Sequence, residues 1–325
     1  MKKTMPFILF MLVVLTLAAC STTNKENGGE TKVKENVSEP ATRVVKDAFG
    51  EVTIPTQPQN MLVLRSNYAE NLIEIGVVPH MVTIVKEIEP EYRPKLFNEN
   101  HVKMIPIRQY EENLEVILEA APDLIIAESA AIDAKKYEAL SKIAPTVAVE
   151  AGVTIKEFVP VLGKLFNKEQ EAENALNKFD QKIKDTKKKL QNALGDQTIL
   201  VIRVEQKQYR VLGAHDDGPG SGIMYKELGL NIPDVLKDNK EWFTPFSLEI
   251  LPTIKADHIF VEQRSMQNYS SEQSMKDLEN NPLWKSMDAV KKGHVYPLKT
   301  ADYVVGEGLT GSPLFLDYLV EKLVR

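Results

Sequence analysis

Four arginines stand just after, or late in, short apolar runs of this 325-residue chain. They are Arg65, Arg108, Arg203 and Arg264. In open α/β sheets a ligand binds outside the carboxyl ends of the strands, and two of these arginines fall in each half of the chain. Because guanidinium groups pair with carboxylates and phosphates through parallel hydrogen bonds, the pattern predicts a cleft suited to a polyanionic ligand.

Aromatic residues offer flat apolar walls for such a cleft. The candidates are Tyr68, Trp242, Phe243 and Tyr303. A glycine-rich polar loop at residues 213–222 contains His215, and it either lines the cleft or forms a long turn. Trp284 and His258 lie within apolar stretches and are predicted to pack in the core.

The sequence carries no recognisable catalytic motif. Gly220-Ser221-Gly222 is not a nucleophile elbow, and neither a phosphate-binding loop nor a His-Glu-x-x-His helix is present. The five histidines lack the spacing of metal ligands, although a His/carboxylate site assembled in three dimensions stays open. The single cysteine excludes a disulfide framework. We therefore predict a non-enzyme with no cofactor and no directly bound metal. The rival hypothesis is a tethered extracytoplasmic enzyme acting on an anionic metabolite.

The first twenty residues indicate where the protein resides. Met1-Lys2-Lys3 precedes the apolar run Phe7–Ala19, which has the length of a signal-peptide core and is too short to span a bilayer. The only cysteine, Cys20, follows Leu17-Ala18-Ala19, a lipobox-like pattern. An ordinary secretory signal with a chance cysteine is the alternative. We predict a lipoprotein signal peptide over residues 1–19, lipidation of Cys20 and a flexible polar tether over residues 20–40.

From Thr42 onward, short apolar runs alternate with helical patterns, which indicates a mostly parallel sheet covered by helices. The segment Leu114–Glu128 aligns without gaps with Leu248–Glu262, and Leu-Glu opens both copies. In each copy an Asp follows that Glu at the same distance and leads into an apolar run that ends at Glu. The repeat predicts two α/β lobes of related design.

A long amphipathic helix is predicted between the lobes. Apolar residues and Thr186 recur along residues 172–190 with spacing of three and four, which marks one stripe on a helix. A coiled-coil partner is the alternative, but a rod lying across both lobes fits the short stripe better. We predict an N-terminal lobe at residues 41–160, a bridging region at 161–195 and a C-terminal lobe at 196–325.

From about Thr42 to its end, the chain resembles the lipoprotein solute-binding components of ABC importers for iron(III)-siderophores, a family related to cobalamin- and haem-binding proteins. The phrases that carry the resemblance are Asp47–Pro55, Asn113–Ile126, Leu140–Val147, Leu228–Leu230, Ser247–Glu249 and Leu283–Tyr296. Their order and spacing, more than any single phrase, identify the family.

The resemblance implies a specific architecture and role. The family has two Rossmann-like lobes bridged by a rigid long helix, with the ligand in the cleft and modest hinge motion. Each lobe presents one surface glutamate to arginines of the permease, and the matching positions here are Glu115 and Glu249. The implied ligand is a ferric siderophore, whose iron enters only as the complex, and cobalamin or haem is the alternative.

The expected partners follow from the same resemblance. They are the permease subunits with their cytoplasmic ATPase, and the membrane, reached through the lipid anchor on the extracytoplasmic face of a Gram-positive cell. We expect a monomer. Acidic residues outnumber basic ones, 46 to 40, so nucleic acid is not an expected partner.

Overall fold

The computed structural model describes residues 41–324 apart from residues 109–112, 153, 215–217 and 265–268 and the side chain of Tyr303. Cys20 with its signal peptide and tether, and His215, lie outside the described residues. Within the described part of the chain, no helix combines the length and the apolar character needed to cross a membrane.

A β-hairpin, β1 (Thr42–Asp47) and β2 (Gly50–Pro55), precedes the first sheet and is tied to it by one aspartate. Asp47 Oδ1 accepts hydrogen bonds from the amides of Phe49 at 2.8 Å and Gly50 at 2.9 Å, which closes the turn. Its Oδ2 accepts from the amide of Ala148 at 2.9 Å. The hairpin is therefore closed at its turn and anchored to the first sheet.

The first lobe contains a five-stranded parallel sheet in the order β5-β4-β3-β6-β7. Its strands are β3 (Met61–Val63), β4 (Met81–Ile84), β5 (Lys103–Pro106), β6 (Leu124–Glu128) and β7 (Thr146–Val149). Helices α1 (Ser66–Glu74), α2 (Tyr92–Glu99), α3 (Leu114–Glu119) and α4 (Ala134–Ser141) connect them. Most strand residues are buried, because helices that cross between parallel strands cover both faces of the sheet.

Two helices follow the first sheet: α5 (Ile155–Leu165) and the 26-residue α6 (Glu169–Leu194). The predicted stripe is the buried face of α6, and it includes Phe179, Ile183 and Leu190. At about 1.5 Å per residue, α6 is a rod of roughly 40 Å. It packs against α5 and ends where the second sheet begins, so its apolar face is covered within the chain.

The second lobe contains a mixed five-stranded sheet in the order β10-β9-β8-β11-β12. Its strands are β8 (Ile199–Glu205), β9 (Gln208–Leu212), β10 (Phe243–Phe246), β11 (His258–Gln263) and β12 (Val295–Leu298). Strands β8, β11 and β12 run parallel, whereas β9 pairs antiparallel with both β8 and β10. Helices α7 (Glu272–Asn280), α8 (Pro282–Ser286) and α9 (Asp288–Lys291) lie between β11 and β12. The prediction of two α/β lobes with mostly parallel sheets is confirmed.

The internal repeat of the sequence is also a repeat of hydrogen bonds. Asp123 accepts from the amide of Asn60 at 3.0 Å, just before β3 begins. Asp257 accepts from the amide of Thr198 at 2.9 Å, just before β8 begins. In each lobe the repeated aspartate therefore fixes the start of the neighbouring parallel strand, which explains its constant position in the two copies.

After β12 the chain returns to the first lobe. A π-helical turn (Ala301–Val305) leads into the last helix, α10 (Gly311–Leu323), which packs on α6. Glu70 Oε1, on α1, accepts from the amides of Thr310 and Gly311, both at 2.9 Å. Glu70 Oε2 also pairs with Arg93 Nε at 2.7 Å, and both side chains are fully buried.

Arg93 also contacts the segment that follows β12. Its Nη2 donates a hydrogen bond to the carbonyl oxygen of Val305 at 2.8 Å. The backbone of residue 311 lies so close to that of Gly306 that a glycine is required, because a Cβ at Gly311 would lie 1.9 Å from the carbonyl oxygen of Gly306. The lobes are thus joined by buried charged groups as well as by α6, a feature that the sequence pattern does not indicate.

Candidate functional site

A cavity of about 720 Å³ lies at the carboxyl ends of strands from both lobes. From the first lobe it receives Arg65, which follows β3, and Glu128 at the end of β6. From the second it receives Trp242, just before β10, and Arg264, just after β11. The volume is typical of small-molecule sites. Two of the four arginines that were predicted to line a cleft, Arg65 and Arg264, line this cavity.

An arginine–glutamate ion pair occurs at the same place in each lobe. Arg65 Nε lies 3.0 Å from Glu128 Oε2, and Arg203 Nε lies 2.7 Å from Glu262 Oε2. Glu128 and Glu262 are the final glutamates of the two repeat copies. In each lobe the arginine comes from the central strand, or the residues just after it, and the glutamate from the neighbouring parallel strand.

The two pairs differ in burial. Side chains of Arg65 and Glu128 are 46% and 22% exposed, whereas those of Arg203 and Glu262 are 3% and 0% exposed. Thr300 donates its hydroxyl to Glu262 Oε1 at 2.7 Å. The first pair therefore faces the cleft and water, and the second lies beneath the cleft surface.

Two aromatic rings cover the buried arginine. The guanidinium carbon of Arg203 lies 3.6 Å from the ring centre of Phe243 and 5.2 Å from that of Trp242. Its Nη2 has no hydrogen-bond partner among the described residues. Trp242 is itself fixed, because its Nε1 donates to the carbonyl of Pro219 at 3.0 Å.

A second cavity of about 470 Å³ shares Trp242 and Arg264 with the first. Arg203, Arg210 and Phe243 also line it. Arg210 Nε lies 3.1 Å from Glu205 Oε2. The two cavities thus form one extended site bordered by β8, β9, β10 and the end of β11.

Other predicted site residues lie elsewhere. Tyr68 is 3% exposed and stacks on Phe158 with ring centres 5.4 Å apart, and it does not line either cavity. Burial raises the pKa of its hydroxyl, and the charge of Glu128 acts in the same direction. Arg108 is exposed just beyond β5 and does not line the cavities. The backbone of Tyr303 belongs to the π-helical turn after β12.

The two residues assigned to the core are buried. Trp284 is 4% exposed. His258 is 6% exposed, and its ring nitrogens lie 3.1 Å from the hydroxyl of Tyr296 and 2.9 Å from Oε1 of Gln197. Both predictions of core packing are confirmed. Among the described residues, no group of three His, Cys, Asp or Glu is arranged to hold a metal ion.

Several residues that line the cavities were not predicted from the sequence. Thr83, in the otherwise apolar β4, is 2% exposed, and its Oγ1 lacks a hydrogen-bond partner among the described residues while lining the main cavity. The one sequence feature that could have indicated Thr83 as a site residue is its polar side chain within an otherwise apolar strand. Lys136 and Arg210 also line the site, but nothing in their sequence neighbourhood distinguishes them from surface cations.

Glu115 and Glu249 lie outside both cavities, each exposed in the first turn of a short helix. The side chain of Asn113 accepts from the amide of Glu115 at 2.9 Å, and that of Ser247 accepts from the amide of Glu249 at 3.4 Å. Exposed apolar side chains stand nearby, with Leu118 61% and Ile250 39% exposed. The repeat therefore places the two carboxylates in equivalent surface positions.

The chain is similar in sequence to a known protein family and to individual binding proteins. Residues 62–301 match the family model described as periplasmic binding protein. The chain is 30% identical to the iron-uptake system-binding protein of Bacillus subtilis, with both chains covered completely. It is 31% identical to the iron(3+)-hydroxamate-binding protein FhuD of the same organism, over all of this chain and 98% of the relative.

A solved structure agrees with the fold. SirA of Staphylococcus aureus, complexed with staphyloferrin B, superposes with a TM-score of 0.71 at 27% identity. The match covers 87% of this chain and 98% of SirA.

Proposed function

Because the chain belongs to the periplasmic binding protein family, we propose that it is the substrate-binding component of an ABC importer and captures a ferric siderophore. The observation that carries the proposal is the cavity between the lobes, which Arg65 lines just after β3, Arg264 just after β11 and Trp242 just before β10. The names of the relatives, which refer to iron uptake and iron hydroxamates, support the choice of ligand.

The proposed activity is binding and release, without a chemical step on the ligand. Iron enters and leaves as part of the chelate, so no resident cofactor is required. The proposed contacts are Arg65, Trp242 and Arg264 in the main cavity, with Arg203 and Phe243 forming the wall beneath them. Tyr68 is better explained as a core residue of the first lobe.

The proposal includes delivery to a membrane. Lipid on Cys20 would hold the protein on the extracytoplasmic face of the cell membrane, and residues 21–40 would give the folded body reach. Glu115 and Glu249 would dock one lobe each onto the permease, whose ATPase subunits drive import. A single copy of the chain presents both glutamates, so a monomer suffices.

Tryptophan fluorescence tests the ligand directly. Trp242 lines the cavity and Trp284 is buried elsewhere, so a bound ferric complex should quench part of the emission. We expect saturable quenching by at least one ferric siderophore, and a much weaker signal in Trp242→Phe. Haem, cobalamin and a simple iron salt complete the panel. Saturable binding of haem or cobalamin alone, or of nothing in the panel, would contradict the proposal.

A further inference from the structure

We infer that the ligand is a ferric chelate of low net charge, such as a neutral trishydroxamate complex, and not a polyanionic one. The inference rests on the proposed function and concerns the chemistry of the same site. It reverses the expectation drawn from the four arginines of the sequence, because Arg65 and Arg203 already pair with glutamates and Arg108 does not line the cavities.

Most arginines of the site are neutralised from within the protein. Glu128 pairs with Arg65, and Glu262 pairs with Arg203. Glu205 pairs with Arg210. Among the described residues, Arg264 is the cavity arginine for which no ion pair is found. One cation is therefore available for an anionic group of the ligand without breaking an existing pair.

The charges that line the two cavities nearly balance. Five cations line them, namely Arg65, Lys136, Arg203, Arg210 and Arg264. Four carboxylates line them as well, namely Glu89, Glu128, Glu205 and Glu241. The four internal segments that the structure does not describe, residues 109–112, 153, 215–217 and 265–268, contain no Lys or Arg. They therefore add no positive charge to this balance.

A polyanionic chelate would meet two penalties here. Its charges would approach Glu128 and Glu205, and like charges in a partly dehydrated cleft repel strongly. Freeing Arg65 or Arg203 for the ligand would leave a carboxylate without its partner, and the loss is severe for the fully buried Glu262.

A nearly neutral chelate meets neither penalty. The main cavity also presents apolar walls from Leu64, Val85, Ile107, Trp242 and Val304. These surfaces suit the organic shell of a chelate whose donor groups have cancelled the charge of the iron. Arg264 and the hydroxyl of Thr83, which has no hydrogen-bond partner within the described part of the chain, remain to orient one polar edge of the ligand.

The test compares two probes and two salt concentrations on the full chain. Calorimetric titration with a neutral ferric trishydroxamate and with a trianionic ferric triscatecholate gives an affinity ratio. We expect the neutral complex to bind at least about tenfold tighter, a difference of about 1.4 kcal/mol. Its affinity should change little between about 0.05 M and about 0.5 M salt, because few net charges are screened.

A matched pair of variants isolates the carboxylate. Glu128→Gln removes the charge that neutralises Arg65, so the affinity ratio should shift several-fold towards the trianionic complex. Glu138→Gln is the control, since Glu138 pairs with Lys142 at 2.8 Å on the exposed surface and does not line the cavities. The control should leave the ratio where it is in the parent chain.

The outcomes separate the inference from the proposed function. Tighter binding of the trianionic complex with a steep salt dependence would overturn the charge inference and leave the siderophore-binding role intact. An equal ratio in both variants would also overturn it. If neither ferric complex nor any other ferric siderophore binds, the proposed function fails and the inference falls with it.

Discussion

Glu128 and Glu262 occupy the same place in the two repeat copies but lie in different surroundings, so their ion pairs should contribute differently to stability. Removing one partner of a fully buried pair leaves an uncompensated charge and costs about 3–5 kcal/mol. A pair that is partly exposed contributes at most about 1 kcal/mol. We predict that Glu262→Gln lowers the free energy of unfolding by about 3 kcal/mol or more, and that Glu128→Gln lowers it by less than about 1 kcal/mol.

Urea denaturation of the two variants measures this difference under identical conditions. Both variants make the same chemical change at equivalent positions, so each serves as the control for the other. Equal losses would show that burial of the Arg203–Glu262 pair does not govern its contribution.

Glu307 predicts a dependence of stability on pH. Burial raises the pKa of this carboxyl from its ordinary 4.5 to about 8. Between those values the folded chain keeps a proton that the unfolded chain has released. Stability therefore falls as the pH rises through this window, with a slope of at most about 1.4 kcal/mol per pH unit from this group. In Glu307→Gln this group cannot titrate, so this fall in stability with rising pH should be absent.

The measurement is the difference in unfolding free energy between Glu307→Gln and the parent chain at about pH 5 and about pH 8. The difference should favour the variant increasingly at the higher pH, and the shared contributions of other titrating groups cancel. A difference that stays constant with pH would refute the assignment.

At the scale of elements, the start of α10 depends on a side chain from α1. Glu70 accepts from the amides of Thr310 and Gly311, and Asn71 Oδ1 accepts from that of Leu309 at 2.9 Å. We predict that Glu70→Gln weakens these bonds and raises hydrogen exchange at residues 310 and 311 by roughly tenfold or more. Exchange measured by NMR or mass spectrometry reports it.

Glu74→Gln is the matched control, because Glu74 accepts a hydrogen bond from the side-chain hydroxyl of Thr310 at 2.6 Å and, among the described residues, from no backbone amide of α10. In this variant the amides of residues 310 and 311 should exchange hydrogen at the same rate as in the parent chain. Unchanged exchange in Glu70→Gln would mean that α10 is held by its packing on α6 alone.

The elements that the sequence predicted are those with clear apolar periodicity. The first sheet, α6 and the repeat all follow from local patterns, since alternating helices and fully apolar strands leave a strong signature. Helices α2, α5 and α10 were not predicted, and each contains a proline, Pro94, Pro160 or Pro313. Proline normally marks a helix end, although it is tolerated in the first turn, as in α2 and α10.

The sequence pattern predicted that arginines gather at strand ends, but it did not predict their pairing with glutamates. Arginines that follow parallel strands meet at the same edge of the sheet, because the carboxyl ends of these strands lie together. The pairing of Arg203 with Glu262 depends on the register between β8 and β11, residues that are far apart in the chain. Burial of Tyr68 against Phe158 is likewise a property of packing between α1 and α5. No local pattern encodes either contact.

At the scale of the whole molecule, Glu115 and Glu249 are predicted to act together. Opposite charges at an interface set orientation and encounter rate, so losing both should impair docking onto permease arginines. We predict that Glu115→Ala/Glu249→Ala keeps its fold and its siderophore affinity but loses most iron-siderophore uptake in cells.

The control for this double variant is Glu169→Ala/Glu272→Ala. These two glutamates are also exposed in the first turns of helices, α6 and α7, so their loss removes a similar interaction with the helix dipole. The control should transport normally. Normal uptake by the first double variant, or a parallel loss of ligand binding, would limit the glutamates to stabilising their helices.

Anchoring is a separate prediction for the whole molecule. Cys20→Ser removes the only thiol of the chain, so the protein should lose its lipid and appear in the soluble extracytoplasmic fraction. Its siderophore affinity should match that of the parent chain, because the site lies within the folded body. Lipid labelling and fractionation decide this, and a lipidated Cys20→Ser protein would refute it.

The return of the chain to its first lobe affects the order in which the protein can mature. Glu70 and Arg93 emerge early in synthesis, but the carbonyl of Val305 and the amides of Thr310 and Gly311 belong to the last segment made. Until that segment arrives, two charged side chains of the first lobe lack groups that satisfy them in the finished interior. The buried Glu70–Arg93 network of the first lobe therefore gains its full set of hydrogen bonds only after residues 305–311 have been synthesised.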